Sequence, residues 1–242
     1  MKEKVAVIGA GRVGTAMASA LQGAGFEVAS VFDIDARAME RAAAITGASP
    51  ARGPREAADA AEVVLLTTPD KQIEETCREA AGGGPLKGKK FIHMSGALPL
   101  EVLGAAADAG ADTLSIHPLQ TFADLESALR SLPGSAFGVT CKPELYEWAA
   151  GFVASLKGRM LKVKDQDRVL YHAAAVVACN LFVMIEHAAA AIYSMLGFDP
   201  KEASEAVAPL VRATLENIES MGPAQALTGP LARGDVLTVE RH

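Results

Sequence analysis

Short β-branched runs alternate with Ala-rich stretches of helical period through the first two thirds of the chain. This is the rhythm of parallel strands joined by helices that cover both faces of a sheet. Strands are predicted at 5–9, 27–32, 62–67, 90–94 and 113–117, with a weaker one near Ala48. Between the first two, Val13, Met17 and Leu21 recur at every fourth position with Ala16 and Ala20 on the same side, so an amphipathic helix closed by Gly23 and Gly25 is expected. A second group follows a polar loop after His117: strands at 136–140 and 159–163 around a helix opening near Pro143, where proline suits the first turn. From Asp165 onward no strand signal recurs. Residues 169–196 are apolar almost all the way round, as in a helix buried on most faces, and 201–221 mix polar and apolar positions. The expected architecture is an α/β domain over 1–164, a doubly wound parallel sheet, followed by a smaller all-α domain over 165–242. The chain stops a few residues after Asp235, a plausible helix N-cap, which reads as a truncated end.

Composition narrows the class. With 23 basic and 29 acidic side chains the formal net charge is −6, which argues against a nucleic-acid binder working by bulk charge. Cys77, Cys141 and Cys179 stand far apart without metal-ligand spacing, so neither a disulfide framework nor a metal site is expected, and a cytoplasmic setting is. The longest charge-free apolar window, 173–185, is shorter than the roughly 20 residues that span a bilayer, so no membrane partner is expected.

The segment VAVIGAGRVG carries the clearest chemistry: Gly9, Gly11 and Gly14 form Gly-x-Gly-x-x-Gly between a strand and a helix. Gly9 suits a tight turn, Gly11 admits a pyrophosphate close to the backbone, and Gly14 lets helix and strand approach. The amides near Arg12 and Val13 then face the phosphates from the positive end of the helix dipole. Asp33 closes the second strand at the spacing expected of a ribose-binding carboxylate. A carboxylate there favours NAD over NADP, although Arg37 and Arg41 on the next helix could clamp a 2′-phosphate.

Ligands of doubly wound sheets gather at the carboxyl ends of strands. Here these ends are polar: Thr67-Thr68-Pro69-Asp70, Ser95-Gly96 after His93, and His117-Pro118. Thr67, Thr68, Pro69 and Ser95 are candidates to line the cofactor, or to cap the following helices. His117 can exchange the proton that accompanies hydride transfer, or serve only as a turn residue, and His93 is expected to be structural. On a wheel of about 100° per residue, His172, Asn180 and His187 fall within about 80° of arc. Asn180 could orient a substrate carbonyl or hydroxyl, or hydrogen-bond between helices. Arg233, in a loop over 226–235, could pair with a substrate carboxylate.

Together GAGRVG with Asp33, Thr-Thr-Pro-Asp, Ser95-Gly96, His117-Pro118-Leu119-Gln120-Thr121-Phe122, Tyr171-His172-Ala-Ala with Asn180, and Leu-Thr-Gly-Pro-x-Ala-Arg-Gly-Asp resemble an uncharacterised bacterial family. Its members join a Rossmann-like domain to a helical C-terminal domain of unknown function. More distantly the layout is similar to the superfamily of 6-phosphogluconate dehydrogenase, β-hydroxyacid dehydrogenases, ketopantoate reductase, pyrroline-5-carboxylate reductase and prephenate dehydrogenase. That resemblance implies a nicotinamide dinucleotide in the first domain, a small-molecule substrate between the domains, and homodimers through the helices. Two departures stand out. Leu119-Gln120-Thr121 does not continue the His-Pro pair as in prephenate dehydrogenases, and Val176 occupies the place of the β-hydroxyacid dehydrogenases' lysine, four residues before Asn180. A proton would then have to come through His117 or His172. The resulting reading is an NAD(P)-dependent oxidoreductase acting on a small carbonyl, imine or hydroxy acid. The alternative is an inactive dinucleotide-binding sensor or interaction module.

Overall fold

Every strand expected from the hydrophobic pattern forms in the computed structural model, which describes residues 2–242. The strands are β1 (Lys4–Ile8), β2 (Glu27–Phe32), β3 (Ser49–Pro50), β4 (Val63–Leu66), β5 (Lys90–His93), β6 (Asp112–Pro118), β7 (Ala136–Thr140) and β8 (Arg159–Lys162). They make one sheet in the order β3-β2-β1-β4-β5-β6-β7-β8. All neighbours are parallel except β6 and β7, whose antiparallel pairing sets His117 opposite Gly138. The sheet is thus mostly parallel, not wholly so as expected. Antiparallel neighbours need no crossover of the sheet, so the segment between β6 and β7 can return on the side where it left.

Seven helices accompany the sheet: α1 (Arg12–Gly23), α2 (Ala36–Thr46), α3 (Pro54–Asp59), α4 (Asp70–Ala81), α5 (Gly104–Asp108), α6 (Leu125–Ser131) and α7 (Tyr146–Ser155). Alternation along the strands divides the core in two. Val5, Val7, Val63, Leu65 and Ile92 pack on one face with Met17 and Leu21 of α1 and Phe152 of α7. Ala6, Ile8, Val64, Leu66 and Phe91 pack on the other with Ile73 and Cys77 of α4 and Leu103.

Beyond β8 come α8 (Arg168–Val176), a π-helical turn (Val177–Leu181), α9 (Phe182–Met195) and α10 (Pro200–Met221), then three short helices. One of these, Gly229–Arg233, lies in what the sequence suggests is a loop. The chain divides into a compact unit reaching Ala175 and a second spanning Val176–His242. The first unit runs past Lys164, the expected end of the α/β domain, because the start of α8 is tied to it by buried hydrogen bonds. Arg168 is fully buried and donates to Leu98 O (2.6 Å), Thr140 Oγ1 (2.9 Å) and Ser95 O. The stretch 169–196 is not covered as expected: Val183, Met184 and Ile185 are exposed, and Ala203 alone is buried within 176–242.

Candidate active site

At the carboxyl ends of β1 and β4, where strand order reverses, the glycine turn meets Thr67 and Thr68. Gly9 has φ +105°, and a Cβ there would lie 2.6 Å from Thr68 N. A Cβ on Gly14 would fall 1.9 Å from Gly9 O, so α1 can approach β1 only without a side chain. At Gly11 nothing lies within 4 Å of a Cβ position, which leaves the backbone open to a ligand. Thr67 Oγ1 is spent on Gly9 O at 2.6 Å, holding the turn. Asp33 holds it from the other side: its carboxylate accepts from Ala10 N (2.6 Å) and Asp35 N (2.8 Å).

These residues border a cavity of about 1270 Å³ within the first unit, lined by Gly9, Gly11, Arg12, Val13, Asp33, Thr67, Thr68 and Pro69 among others. Its rim includes Arg41 and the exposed Ile34, with Ile45 and Pro54 giving an apolar flank for a planar base. The buried Thr68 Oγ1 has no hydrogen-bond partner among the described residues. A cavity lying on the N-terminus of α1 and walled by an unpartnered hydroxyl fits the phosphates and ribose of a dinucleotide. Ser95, expected beside the cofactor, stands outside this lining. Its hydroxyl donates to Asp70 Oδ2 (2.7 Å) and accepts from Ala97 N and Leu98 N, so it fixes the turn after β5.

A second group of polar side chains gathers at the ends of β5 and β6 within the same unit. His117 Nδ1 is 3.0 Å from Tyr171 Oη. The rings of His117 and His172 are edge-on with centroids 5.6 Å apart. Gly96 makes room for both: a Cβ there would sit 2.3 Å from His172 Nδ1 and 3.0 Å from His117 Nε2. His93 is fully buried with neither ring nitrogen partnered, in keeping with an interior rather than a substrate-facing position. Burial, with Arg168 and His117 nearby, depresses its pKa to about 3. His117 is lowered to about 4 by burial, then by His172 and Arg168. It is therefore a neutral imidazole at neutral pH. Tyr171 is raised by burial, opposed by the charge of Arg168 and the Gly138 amide.

Asn180 lies in the second unit, exposed, inside the π-helical turn. A buried amide in need of partners is not what the chain presents, and a uniform 100° wheel does not hold through a π turn, whose bonds run from i to i+5. His187 is also exposed. Two residues of the histidine cluster, Arg168 and Tyr171, carry roles that sequence reasoning did not assign. The only signal was a lone arginine at the entry to a strongly apolar helix and a tyrosine preceding His172.

A strand order beginning 3-2-1-4-5-6 with the glycine turn at its switch point defines a Rossmann-type dinucleotide-binding domain. Comparison with known proteins agrees: residues 1–118 match the Rossmann-like domain, and residues 135–242 match a domain of unknown function, DUF2520. The chain thus joins a Rossmann-like match to a DUF2520 match. No curated protein matches it. Among solved structures it is similar to a Bacteroides fragilis protein provisionally described as an NADP oxidoreductase, with TM-score 0.81, 21% identity and coverage of 100% of this chain and 90% of that one. It is also similar to a reductive aminase of Aspergillus terreus in complex with NADPH and ethyl-5-oxohexanoate (TM-score 0.70, 22% identity, 90% and 75% covered). A pyrroline carboxylate reductase of Plasmodium falciparum with NADP bound gives TM-score 0.70 at 12% identity, with 99% and 90% covered. At these identities the likeness is one of fold.

Proposed function

We propose that the protein is a nicotinamide-dependent oxidoreductase that reduces, or in reverse oxidises, a small molecule beside His117. The observation that carries this reading is the cavity at the sheet's switch point, with open backbone at Gly11 and an unpartnered hydroxyl at Thr68. When bound there, a reduced nicotinamide dinucleotide supplies a hydride. The chain's own part is to hold the phosphates with the turn from Gly9 to Gly14 and to place the cluster of His117, His172 and Tyr171 near the reacting carbon.

NADP(H) is the cofactor we propose, against the NAD preference that Asp33 alone suggests. Both Asp33 oxygens already accept backbone amides, while Arg12 and Arg41 line the cavity as cations for a 2′-phosphate. The NADP(H) bound to the reductive aminase and pyrroline carboxylate reductase structures supports the same choice. Calorimetric titration with NADPH and NADH tests it. NADPH should bind at least about tenfold tighter, a difference of about 1.4 kcal/mol. Equal or tighter binding of NADH rejects the 2′-phosphate assignment, and binding of neither rejects the oxidoreductase reading. Binding without turnover on any carbonyl or imine would favour the sensor, a reading that Val176 at the lysine position supports. A homodimer built through the helical unit and a cytoplasmic setting complete the proposal, the latter supported by three free cysteines.

A further inference from the structure

The residues around His117 distinguish its two ring nitrogens. Nδ1 is turned inward to Tyr171 Oη. Nε2 makes no hydrogen bond and is not among the buried atoms left without a partner, unlike both nitrogens of His93 and Nδ1 of His172. It therefore keeps some solvent access, on the side where a Cβ on Gly96 would lie 3.0 Å from it. The Tyr171 hydroxyl seats against β7, where a Cβ on Gly138 would approach it to 2.5 Å. Arg168, three residues before Tyr171 on α8, is fully buried, its charge acts on both His117 and Tyr171, and all its hydrogen bonds go to uncharged acceptors. No carboxylate lies within ion-pair distance of it among the described residues. The acids whose charge acts on it, Asp165 and Asp70, are engaged elsewhere: Asp165 caps Leu100 N (2.9 Å) and Asp70 accepts from Ser95. The groups that face His117 are thus His93 from β5, His172 and Tyr171 from α8, and Arg168; none is an acid that ionises near neutral pH.

We infer that Tyr171 and His117 form a proton relay aimed at a carbonyl oxygen, with Tyr171 as the proton source, His117 Nε2–H as the group that meets substrate, and Arg168 as the fixed charge that accepts the resulting phenolate. This deepens the oxidoreductase reading and rests on it for the hydride alone. As the carbonyl carbon accepts hydride, the carbon–oxygen π pair moves onto oxygen, which takes the proton from Nε2. His117 Nδ1 takes the phenolic proton in the same passage, so the imidazole changes tautomer and stays neutral. The phenolate is left beside Arg168; in the reset Nδ1–H returns its proton to the phenolate and Nε2 takes one from water, which restores the starting tautomer. The carbonyl is reduced to an alcohol and the nicotinamide is oxidised.

The same electrostatics select the substrate class. An imine is reduced as its protonated, cationic form, and here such a cation would face a buried guanidinium with no acid beside His117 to offset it. A ketone or 2-oxo acid develops negative charge on oxygen in the transition state, which a fixed positive charge stabilises. The chemistry points to a neutral or anionic carbonyl compound rather than an imine.

The relay can be read without cofactor or substrate, by nitrogen NMR of the histidine-labelled full chain from pH 5.5 to 8. The expected result is a neutral His117 with the proton on Nε2 throughout, and a shifted Nδ1 resonance in Tyr171→Phe with an unchanged fold by circular dichroism. A proton on Nδ1, an imidazolium forming near pH 6.5, or an Nδ1 signal indifferent to Tyr171→Phe overturns the relay. Should Tyr171→Phe not fold, the tautomer of the unaltered protein decides alone. The protein supplied with NADPH is then offered 2-butanone and 2-oxobutyrate against 2-methyl-1-pyrroline. One of the carbonyls should be reduced faster, with Tyr171→Phe lowering kcat about 100-fold at nearly constant KM. Faster reduction of the imine, or no oxidation of NADPH by either carbonyl, overturns the substrate class. Failure of NADPH to bind overturns the oxidoreductase reading, while the NMR result still stands or falls for the relay.

Discussion

Two histidines that the fold keeps neutral make the protein's stability depend on pH. His93 and His117 have folded values of about 3 and about 4, against an ordinary value near 6.5 in the unfolded chain. Below pH 6.5 the unfolded state binds protons that the folded state refuses. Stability is therefore full above about pH 6.5 and is lost as pH falls toward 4 and then 3, by up to about 1.4 kcal/mol per pH unit for each group. Urea midpoints measured at pH 7, 5.5 and 4.5 should fall progressively. His93→Leu should flatten the fall, since it removes one of the two groups and leaves no unpartnered ring nitrogen behind. A midpoint independent of pH over this range would mean that both imidazoles accept protons within the fold. Residue-scale features such as these were only partly legible in the sequence. The glycines at 9, 11 and 14 were, because each demands a backbone geometry that no other residue supplies there. The low basicity of His117 was not, because it depends first on burial and then on His172 and Arg168, more than fifty positions away in the chain.

Elements were more legible than residues, for a physical reason. Strands buried on both faces need continuous β-branched or apolar runs, so β1, β2, β4 and β7 announce themselves, and β3 is found near Ala48 despite its two residues. Helix α6 did not: its buried side is little more than Ala128, and its start is fixed by the Asp124 and Ser127 capping box in an otherwise polar stretch. The antiparallel direction of β7 was equally hidden, since local pattern carries no record of which way a strand runs. Nor does periodicity reveal the π turn at Val177–Leu181, where the residue types stay apolar while the bond pattern changes. Caps, by contrast, can be read and tested. Asp199 accepts from Lys201 N and forms a capping box with Glu202 at the start of α10, behind Pro200. Asp199→Ala should lower stability by about 1 kcal/mol, seen as a fall in the thermal midpoint by circular dichroism. No change would show that α10 is held by its packing and not by its first turn.

At the scale of the whole chain, the second unit is the part that a single copy leaves unfinished. Within 176–242 Ala203 is the sole buried residue, while Met195, Leu196, Leu210 and Leu237 are each about two thirds exposed or more. Helices that bury so little cannot offset the conformational entropy of ordering them, and exposed apolar area of this extent marks an interaction surface. The segment Asp165–Met195 is long and apolar enough to cross a bilayer by length and composition alone, contrary to the expectation drawn from its charge-free window. A bilayer is nevertheless a poor match for this unit. Glu186 and His187 interrupt α9, and α10 carries Lys201, Glu202, Glu205, Arg212, Glu216 and Glu219 among its apolar positions, a mixture suited to another protein surface with a polar rim. The homodimer we propose would supply such a surface with the same composition, since closed two-fold pairing buries both copies at once. Sedimentation at micromolar concentration should give a dimer, and Ile185→Asp combined with Leu210→Asp should yield monomers with lowered thermal stability, since losing a bound partner removes its stabilisation of the folded unit. A monodisperse monomer in the unaltered protein would refute the second copy. Recovery of the chain only with detergent or vesicles would assign the apolar face to a membrane instead.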